Sequence, residues 1–518
     1  MSFRRKKVIV APWGNPFGWR PANYRLDGEE GTVIEVRDKN TSLSCLVKAL
    51  CPDEVILVIP ETLLCPSPDI SRLKNYGGKP LSDVLEDGVE DGERYREALR
   101  YLEQAMKRLY EEWIGRPEPR IVITPTIGRY QCEDKSYVWE IGPKKVDPVS
   151  VYAAYTLAST VATIADLGVE PLEEVALILD TTHGINFMPL AAYRAIMAAA
   201  RIISAAFNVI VEFRQYNSAP YPRNVPKPTL KIYLVRREII TPNKAAQRLV
   251  YGYLVCDAGK ARPFHRAKEM DLQMNDRLNA LRDELKSLIK LHEEACPIAS
   301  AVHFSMPLAL LQFALEHMER GREIRVLMRK LWDVLKELLI FIKINVDGPR
   351  LFSIEHLALP HYDDIKSLLA ATALMSYAIR ALRTSEARFE RGLVEVSLTG
   401  LREVAERWLR GPLLGVVKHE LSSLREALVG KRIVRDVGPL VDRAREKMGE
   451  WVSPEGGCED QQRIYVAHAG LARRSIEVRM EGGELYLRYR RCLERIRKCL
   501  IGALGETRKL VHEFKNVI

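Results

Sequence analysis

Short apolar runs recur through the first 240 residues, each bounded by turn-forming residues. They fall at Val8–Ala11, Glu54–Pro60, Arg120–Pro125, Val175–Leu179, Asn208–Arg214 and Leu230–Val235. Their richness in Val, Ile and Leu predicts buried β-strands. Between several of them apolar residues recur three or four apart, as helices require. In Gly92–Ile114 these are Leu99, Leu102, Met106, Leu109 and Trp113. Pro148–Leu167 opens on Asp147-Pro148, an N-cap followed by proline at the first helical position. Strands alternating with helices predict a doubly wound, mainly parallel α/β sheet. The last two runs are joined by the proline-rich Ala219–Pro228, too short for a helical crossover, which predicts a hairpin-type edge.

Beyond Ile240 the strand signals almost vanish. Asp271–His292, Leu308–Glu319, Ile324–Ile342, Asp363–Thr384 and Glu395–Leu409 carry helical periodicity. The chain closes on Glu484–Leu500, where Leu485, Tyr489, Leu493, Ile496 and Leu500 form an apolar stripe among arginines. The expected fold class is therefore α/β plus all-α. An N-terminal Rossmann-like domain spans 1–240, a helical connector or insert 241–330, and a helical domain 331–518. Lys244–Ala261 falls at the start of that insert.

Composition adds that the chain is an ordinary globular one, 47% hydrophobic and 28% charged. No uncharged apolar stretch reaches the roughly 18 residues that span a bilayer. The longest candidate, Leu190–Ile210, carries Arg194 and Arg201 and reads as a buried helix. Four basic residues open the chain, but the apolar run after them is too short for a signal peptide, so a cytoplasmic protein without a membrane partner is expected. The nine cysteines form no CxxC pair, which argues against a zinc ribbon or a thioredoxin-type motif. Cys492 and Cys499, two helical turns apart, read as core. The formal charge is +10, and from Arg463 onward thirteen Lys/Arg face six Asp/Glu. That excess suits either a polyanionic partner or a solvated helix face.

In open α/β sheets ligands bind at the carboxyl ends of strands. After the first strand comes Pro12-Trp13-Gly14-Asn15-Pro16-Phe17-Gly18-Trp19, with glycine for close backbone approach and aromatic faces for a nucleobase. After the third comes Thr124-Pro125-Thr126, and after the fourth Asp180-Thr181-Thr182-His183-Gly184-Ile185-Asn186, entering a helix near Met188. Hydroxyls, imidazole and amide at a helix N-terminus suit phosphates and ribose. The same residues also fit a plain strand-to-helix turn, with Thr182 and Asn186 as caps. No GxGxxG and no Walker lysine motif is present. Asp180-Thr-Thr-His-Gly184 resembles the DxTHG signature of the CRISPR-associated Rossmann-fold (CARF) proteins of type III systems. The resemblance implies a cyclic oligoadenylate, usually cyclic tetra-adenylate, held across a CARF homodimer. Its contacts would be Trp13, Gly14, Asn15, Thr126, Thr181, Thr182, His183, Gly184 and Asn186.

Near the C-terminus stands Arg463-Ile-Tyr-Val-Ala-His468-Ala-Gly-Leu471. In metal-free RNA cleavage the 2′-OH attacks the adjacent phosphate, a histidine moves protons and a guanidinium stabilises the developing charge. A histidine between alanines is also an ordinary packed helix residue. Arg463–Leu471 resembles the R-x(4–6)-H motif of HEPN ribonucleases, departing from it at Ile464, where a polar residue is common; Gln461 or Gln462 would substitute. The resemblance implies an allosterically activated endoribonuclease with Arg463 and His468 as its catalytic pair. It would act at least as a homodimer and cut single-stranded RNA without metal or other cofactor. Arg488, Arg491, Arg495 and Lys498 would bind the RNA. Two alternatives stand beside it. One is a non-enzymatic, ligand-responsive nucleic-acid-binding regulator; the other is a ring nuclease whose CARF site degrades the activator.

Overall fold

The computed structural model describes residues 5–515 apart from 29–31, 67–69, 80, 82–90, 223, 253–255, 257–260, 269, 349, 430–437 and 459–460. The basic start Met1–Arg4 and part of Lys244–Ala261 thus lie outside the described residues. All six apolar runs are strands of one eight-stranded sheet. Its members are β1 (Lys6–Pro12), β2 (Ala22–Asp27), β3 (Val33–Lys39), β4 (Glu54–Pro60), β5 (Pro119–Thr124), β8 (Glu174–Asp180), β9 (Ile210–Ser218) and β10 (Thr229–Ile240). The order is β3-β2-β10-β9-β8-β1-β4-β5. Parallel pairing of β1 with both β4 and β8 puts the topological switch at β8/β1. These central strands are apolar throughout because helices cover both faces. The β9–β10 pair is antiparallel, as the short connection requires, but β10 is not the edge: it also pairs with β2, and β3 closes that side.

The second half is mainly helical, as expected of its class, but it also carries strands. A second sheet, β12-β13-β7-β6, joins β6 (Gly128–Cys132) and β7 (Lys135–Ile141) to β12 (Ile342–Val346) and β13 (Leu351–His356). Because β7 and β13 pair in parallel, residues from both halves share one backbone ladder. A two-stranded ribbon pairs β11 (His265–Arg266) with β14 (Ala358–Leu359). A third sheet, β15-β16-β18-β17, contains β15 (Arg388–Glu390), β16 (Leu393–Ser397), β17 (Ile476–Glu481) and β18 (Glu484–Tyr489).

Two helical expectations are corrected here. Glu484–Tyr489 is a strand, and the closing helix starts at Leu493. Gly482 and Gly483, at φ +59° and +82°, turn the chain between β17 and β18. The segment expected as a helix from Glu395 begins inside β16, and Ser397 caps a helix that starts only at Leu398, its Oγ accepting from the Gly400 N–H at 3.0 Å.

Three helices, Pro148–Asp166, Met188–Phe207 and Tyr362–Arg383, are long and apolar enough to cross a membrane, against the sequence expectation. Their apolar stretches are 83%, 78% and 89% buried inside the protein, so packing within the fold accounts for the composition. Leu190–Ile210 accordingly falls largely on a buried helix. Contacts between the halves pin this layer: Tyr155 Oη donates to the Leu335 carbonyl at 2.8 Å and Ser376 Oγ to that of Ala206 at 2.6 Å.

Candidate functional site

The ends of β8 and β1 form one hydrogen-bonded corner. The Gly14 N–H donates to the His183 carbonyl at 3.0 Å, and a Cβ at Gly14 would lie 2.9 Å from the Ile185 side chain, so only glycine permits this approach. Asp180, almost fully buried, accepts from Ser42 Oγ at 2.8 Å and from the Thr182 N–H at 3.0 Å. Burial raises its carboxyl above the usual range, opposed by those hydrogen bonds. Thr181 Oγ1 donates to the Tyr216 carbonyl at 3.0 Å, and Thr182 Oγ1 accepts from the Ser218 N–H at 3.1 Å. His183 Nε2 accepts from the Ser42 N–H at 3.1 Å, while Trp19 stacks on the ring with centroids 4.0 Å apart.

The side chains of Thr181, Thr182 and His183 therefore first build the corner. Gly184, Ile185 and Asn186 lie at or near the surface, Asn186 with φ +52°. They lead into the helix Met188–Phe207, whose first turn has no side-chain cap. Two expected contacts are misplaced. Trp13 is 0% exposed and packs against Trp19 and Trp113, so it is a core residue and the half-buried Trp19 takes the outer position. Thr126 is buried at the end of β5, three strand spacings from β8, or about 14 Å. Its N–H donates to Glu61 at 2.9 Å. Asn15 caps the short turn Pro16–Gly18 by accepting from the Phe17 N–H at 3.2 Å. Ser42 went unrecognised in the sequence, and Trp19 was read only as one of the aromatic faces of the first loop. The only hint was Thr41-Ser42 before an apolar helical run, an N-cap pattern.

Burial pushes the His183 imidazole down to about 3, so it is neutral at physiological pH. An unfolded histidine titrates near about 6.5. The unfolded chain thus binds the proton first, and this contribution to stability is lost as pH falls from about 6.5 toward 3. His183→Gln, which keeps an acceptor for the Ser42 N–H, is expected to flatten the decline of the urea midpoint between pH 7 and pH 5. Parallel declines in both proteins would contradict this.

A second buried polar centre ties the two halves together. Glu61, after β4, is 0% exposed and accepts from Tyr95 Oη at 2.6 Å, from the Thr126 N–H, and from His356 Nε2 at 2.9 Å. Trp139 Nε1 donates in turn to Tyr95 Oη at 3.0 Å.

The Arg463/His468 motif forms a short helix, Gln462–Ala467, with His468 as its C-cap. Ala469 and Gly470 follow at φ +48° and +78° and reverse the chain. A Cβ at Gly470 would lie 3.0 Å from the Tyr489 hydroxyl and 3.2 Å from that of Tyr465, which hydrogen-bond each other at 2.6 Å in the core. This buried pair anchors the turn while leaving His468 part-exposed. His468 Nδ1 lies 3.3 Å from Glu420 Oε1, on the helix Leu414–Leu428. A carboxylate there favours the tautomer protonated at Nδ1. Arg463 is exposed and forms no ion pair among the described residues. Glu420 is 48 positions away in sequence, and no local signal announces it. Gln462 Nε2 donates to Glu506 at 2.9 Å, so this residue braces the closing helix instead of Arg463.

Of the four expected RNA contacts, Arg491, Arg495 and Lys498 are exposed. Arg488 is not available: it bonds Glu477 at 2.7 Å and the buried Glu395 at 3.0 Å, and stacks over Trp451. It neutralises a carboxylate inside the third sheet. Cys492, expected in a helical core, instead precedes the helix and is disulfide-bonded to Cys458. That link ties the segment before Arg463 to the start of the closing helix. A second disulfide joins Cys256 and Cys296. Among the described residues no group of three or more His, Cys, Asp and Glu side chains is placed to hold a metal ion.

A Rossmann-like sheet with a polar corner at its switch point, followed by a helical domain presenting an arginine and a carboxylate-oriented histidine, defines a two-domain protein of the CARF–HEPN class. Residues 8–220 match a family model described as CRISPR system endoribonuclease Csx1, CARF domain, and residues 415–491 one described as CRISPR system endoribonuclease Csx1, HEPN domain. A relative described as CRISPR system endoribonuclease Csx1, from Methanocaldococcus jannaschii, is 26% identical over 284 residues, covering 54% of this chain and 50% of the relative. The chain thus spans about half the length of that relative. With both domains matched in this order over more than half its length, it belongs to the CRISPR-associated CARF–HEPN family.

Proposed function

We propose that this protein is a cyclic oligoadenylate-activated, metal-independent endoribonuclease that cuts single-stranded RNA in type III CRISPR defence, acting in the cytoplasm as a homodimer or larger homo-oligomer. The observation that carries the reading is the His468–Glu420 pair, five positions after an exposed Arg463 with no ion pair among the described residues, within the stretch matched as HEPN. His468 Nε2 would take the proton from the ribose 2′-OH and Arg463 would stabilise the phosphorane oxygens. Residues 1–240 would form the sensing domain, 241–330 the connector and 331–518 the nuclease domain. The activator, cyclic tetra-adenylate in the first instance, would lie against Gly14, Asn15 and Gly184–Asn186. Backbone amides and the helix N-terminus would serve its phosphates, and Thr181, Thr182 and His183 would hold the shape of the surface. Ligand binding would favour the dimer state in which two Arg463/His468 pairs meet, with Arg491, Arg495 and Lys498 meeting the RNA backbone. A ring-nuclease role for Thr181, Thr182 and His183 gains no support, since their polar atoms already serve Tyr216, Ser218 and Ser42.

End-group analysis of RNA cut in the presence of EDTA tests the chemistry. Products ending in 2′,3′-cyclic phosphate or 3′-phosphate are expected; 3′-hydroxyl ends, or a need for added divalent metal, would overturn the reading.

A further inference from the structure

A concentration of positive charge lies in a cavity that shares no lining residue with either site just described. The cavity, of about 940 Å³, opens where the turn after β7, the segment Arg262–Lys268 and the strands β12 and β13 meet. Seven cationic side chains line it against one carboxylate, Glu355. That is a net of six charges around one void, in a chain whose whole excess is +10. Among the described residues Lys144, Lys145, Arg262, Lys268, Arg282 and Lys343 form no ion pair, and Arg266 is held only by the Asn275 amide at 3.2 Å. Like charges crowded around a common void repel one another, and an anion relieves that cost.

The walls are built, not draped. Pro263 and Phe264 are buried and anchor a segment whose Arg262, Arg266 and Lys268 stay exposed. The β11–β14 ribbon fixes His265 and Arg266, and His265 Nε2 lies 2.7 Å from Asp364. The Gly142 N–H donates to the His356 carbonyl at 3.0 Å, which sets the opposite wall on β13.

The chemistry of the lining selects the ligand. Ligand pockets run from about 300 to 1,000 Å³, so this void is roomier than one nucleotide needs. Lysine and arginine tips without carboxylates contact phosphate and carry no base readout. The one aromatic in the lining, Phe264, is buried and offers no stacking platform. We propose that this cavity is a second, sequence-independent binding site for the phosphodiester backbone of an oligoribonucleotide, separate from the Arg463/His468 pair and from the β8/β1 corner. A linear RNA strand and a small cyclic oligonucleotide share that chemistry.

The test is fluorescence anisotropy of a labelled, 2′-O-methylated single-stranded RNA on the full chain across a salt series. Such RNA cannot be cut through its 2′-OH, so binding is read whether or not the chain is a ribonuclease. Lys144→Ala/Lys268→Ala/Lys343→Ala is expected to weaken binding at least about tenfold and to reduce the log–log salt slope by about 2, at about 0.7 per lost phosphate contact. The corresponding triple arginine variant retains affinity and slope. Labelled cyclic tetra-adenylate run in parallel separates the sources: weaker binding in the alanine variant assigns the cavity to it as well, and unchanged binding assigns the cavity to linear RNA. Unchanged affinity and slope for both ligands in the alanine variant, or equal loss in the arginine variant, would overturn the proposal.

Discussion

His468→Ala is expected to lower kcat for RNA cleavage by about 10³, the scale on which a positioned acid–base group contributes. Binding of uncut RNA should stay close to wild type. The ring sits on a C-cap anchored by the buried Tyr465–Tyr489 hydroxyl pair, so removing it leaves the turn standing. Glu420→Ala should act on the same step, through orientation, with a smaller loss of about tenfold in kcat and little change in KM. Adding Glu420→Ala to His468→Ala should cost nothing further, because the carboxylate acts only through the ring. Single-turnover cleavage of a labelled RNA by the three variants checks this. Wild-type rates in His468→Ala would return that histidine to a packing role.

The largest stability effect is expected at Glu61. Its carboxylate meets donors from Tyr95, Thr126 and His356 with no exposure to water. Glu61→Ala strands all three and opens a void, at about 3–5 kcal/mol, the range for breaking a buried polar pair from one side. Glu61→Gln, which keeps one carbonyl acceptor, should lose less. Because His356 comes from β13 and Thr126 follows β5, the damage should reach both halves. Fluorescence and circular dichroism during urea unfolding should shift together in Glu61→Ala. Midpoints equal to wild type would show that the network carries no net stability.

What the sequence revealed divides along physical lines. Central parallel strands are covered on both faces, so β1, β4 and β8 stood out as continuous apolar runs. β2 alternates, with Ala22, Tyr24 and Leu26 inward and the polar Asn23 and Arg25 between them, and that signal was lost in the loops. The error at β18 has a sharper cause. Leu485 and Tyr489 are four apart, a spacing that satisfies both a two-residue and a 3.6-residue period. Leu487, buried between them on the same face, marks the strand. Arg488 followed that error: read on a solvated helix, it lies on a strand beside the buried Glu395.

Motif residues were legible as types, while their partners were not. Ser42 and Asp180 are 138 positions apart, and Glu420 and His468 are 48 apart. No periodicity links such pairs; only the fold does. Nor could chain order show that Thr181, Thr182 and His183 spend their polar atoms on the protein itself. Hydroxyls and imidazole beside a helix start suit a ligand and a structural corner equally well, and only their hydrogen bonds separate the two roles.

The most direct measurement is cleavage of a labelled single-stranded RNA by the full chain in EDTA, with and without cyclic tetra-adenylate and, in turn, its ring-size relatives. The account predicts that cleavage appears with a cyclic oligoadenylate and is absent without one. Cleavage at equal rates with and without ligand, or no cleavage by protein that demonstrably binds the ligand, would contradict it.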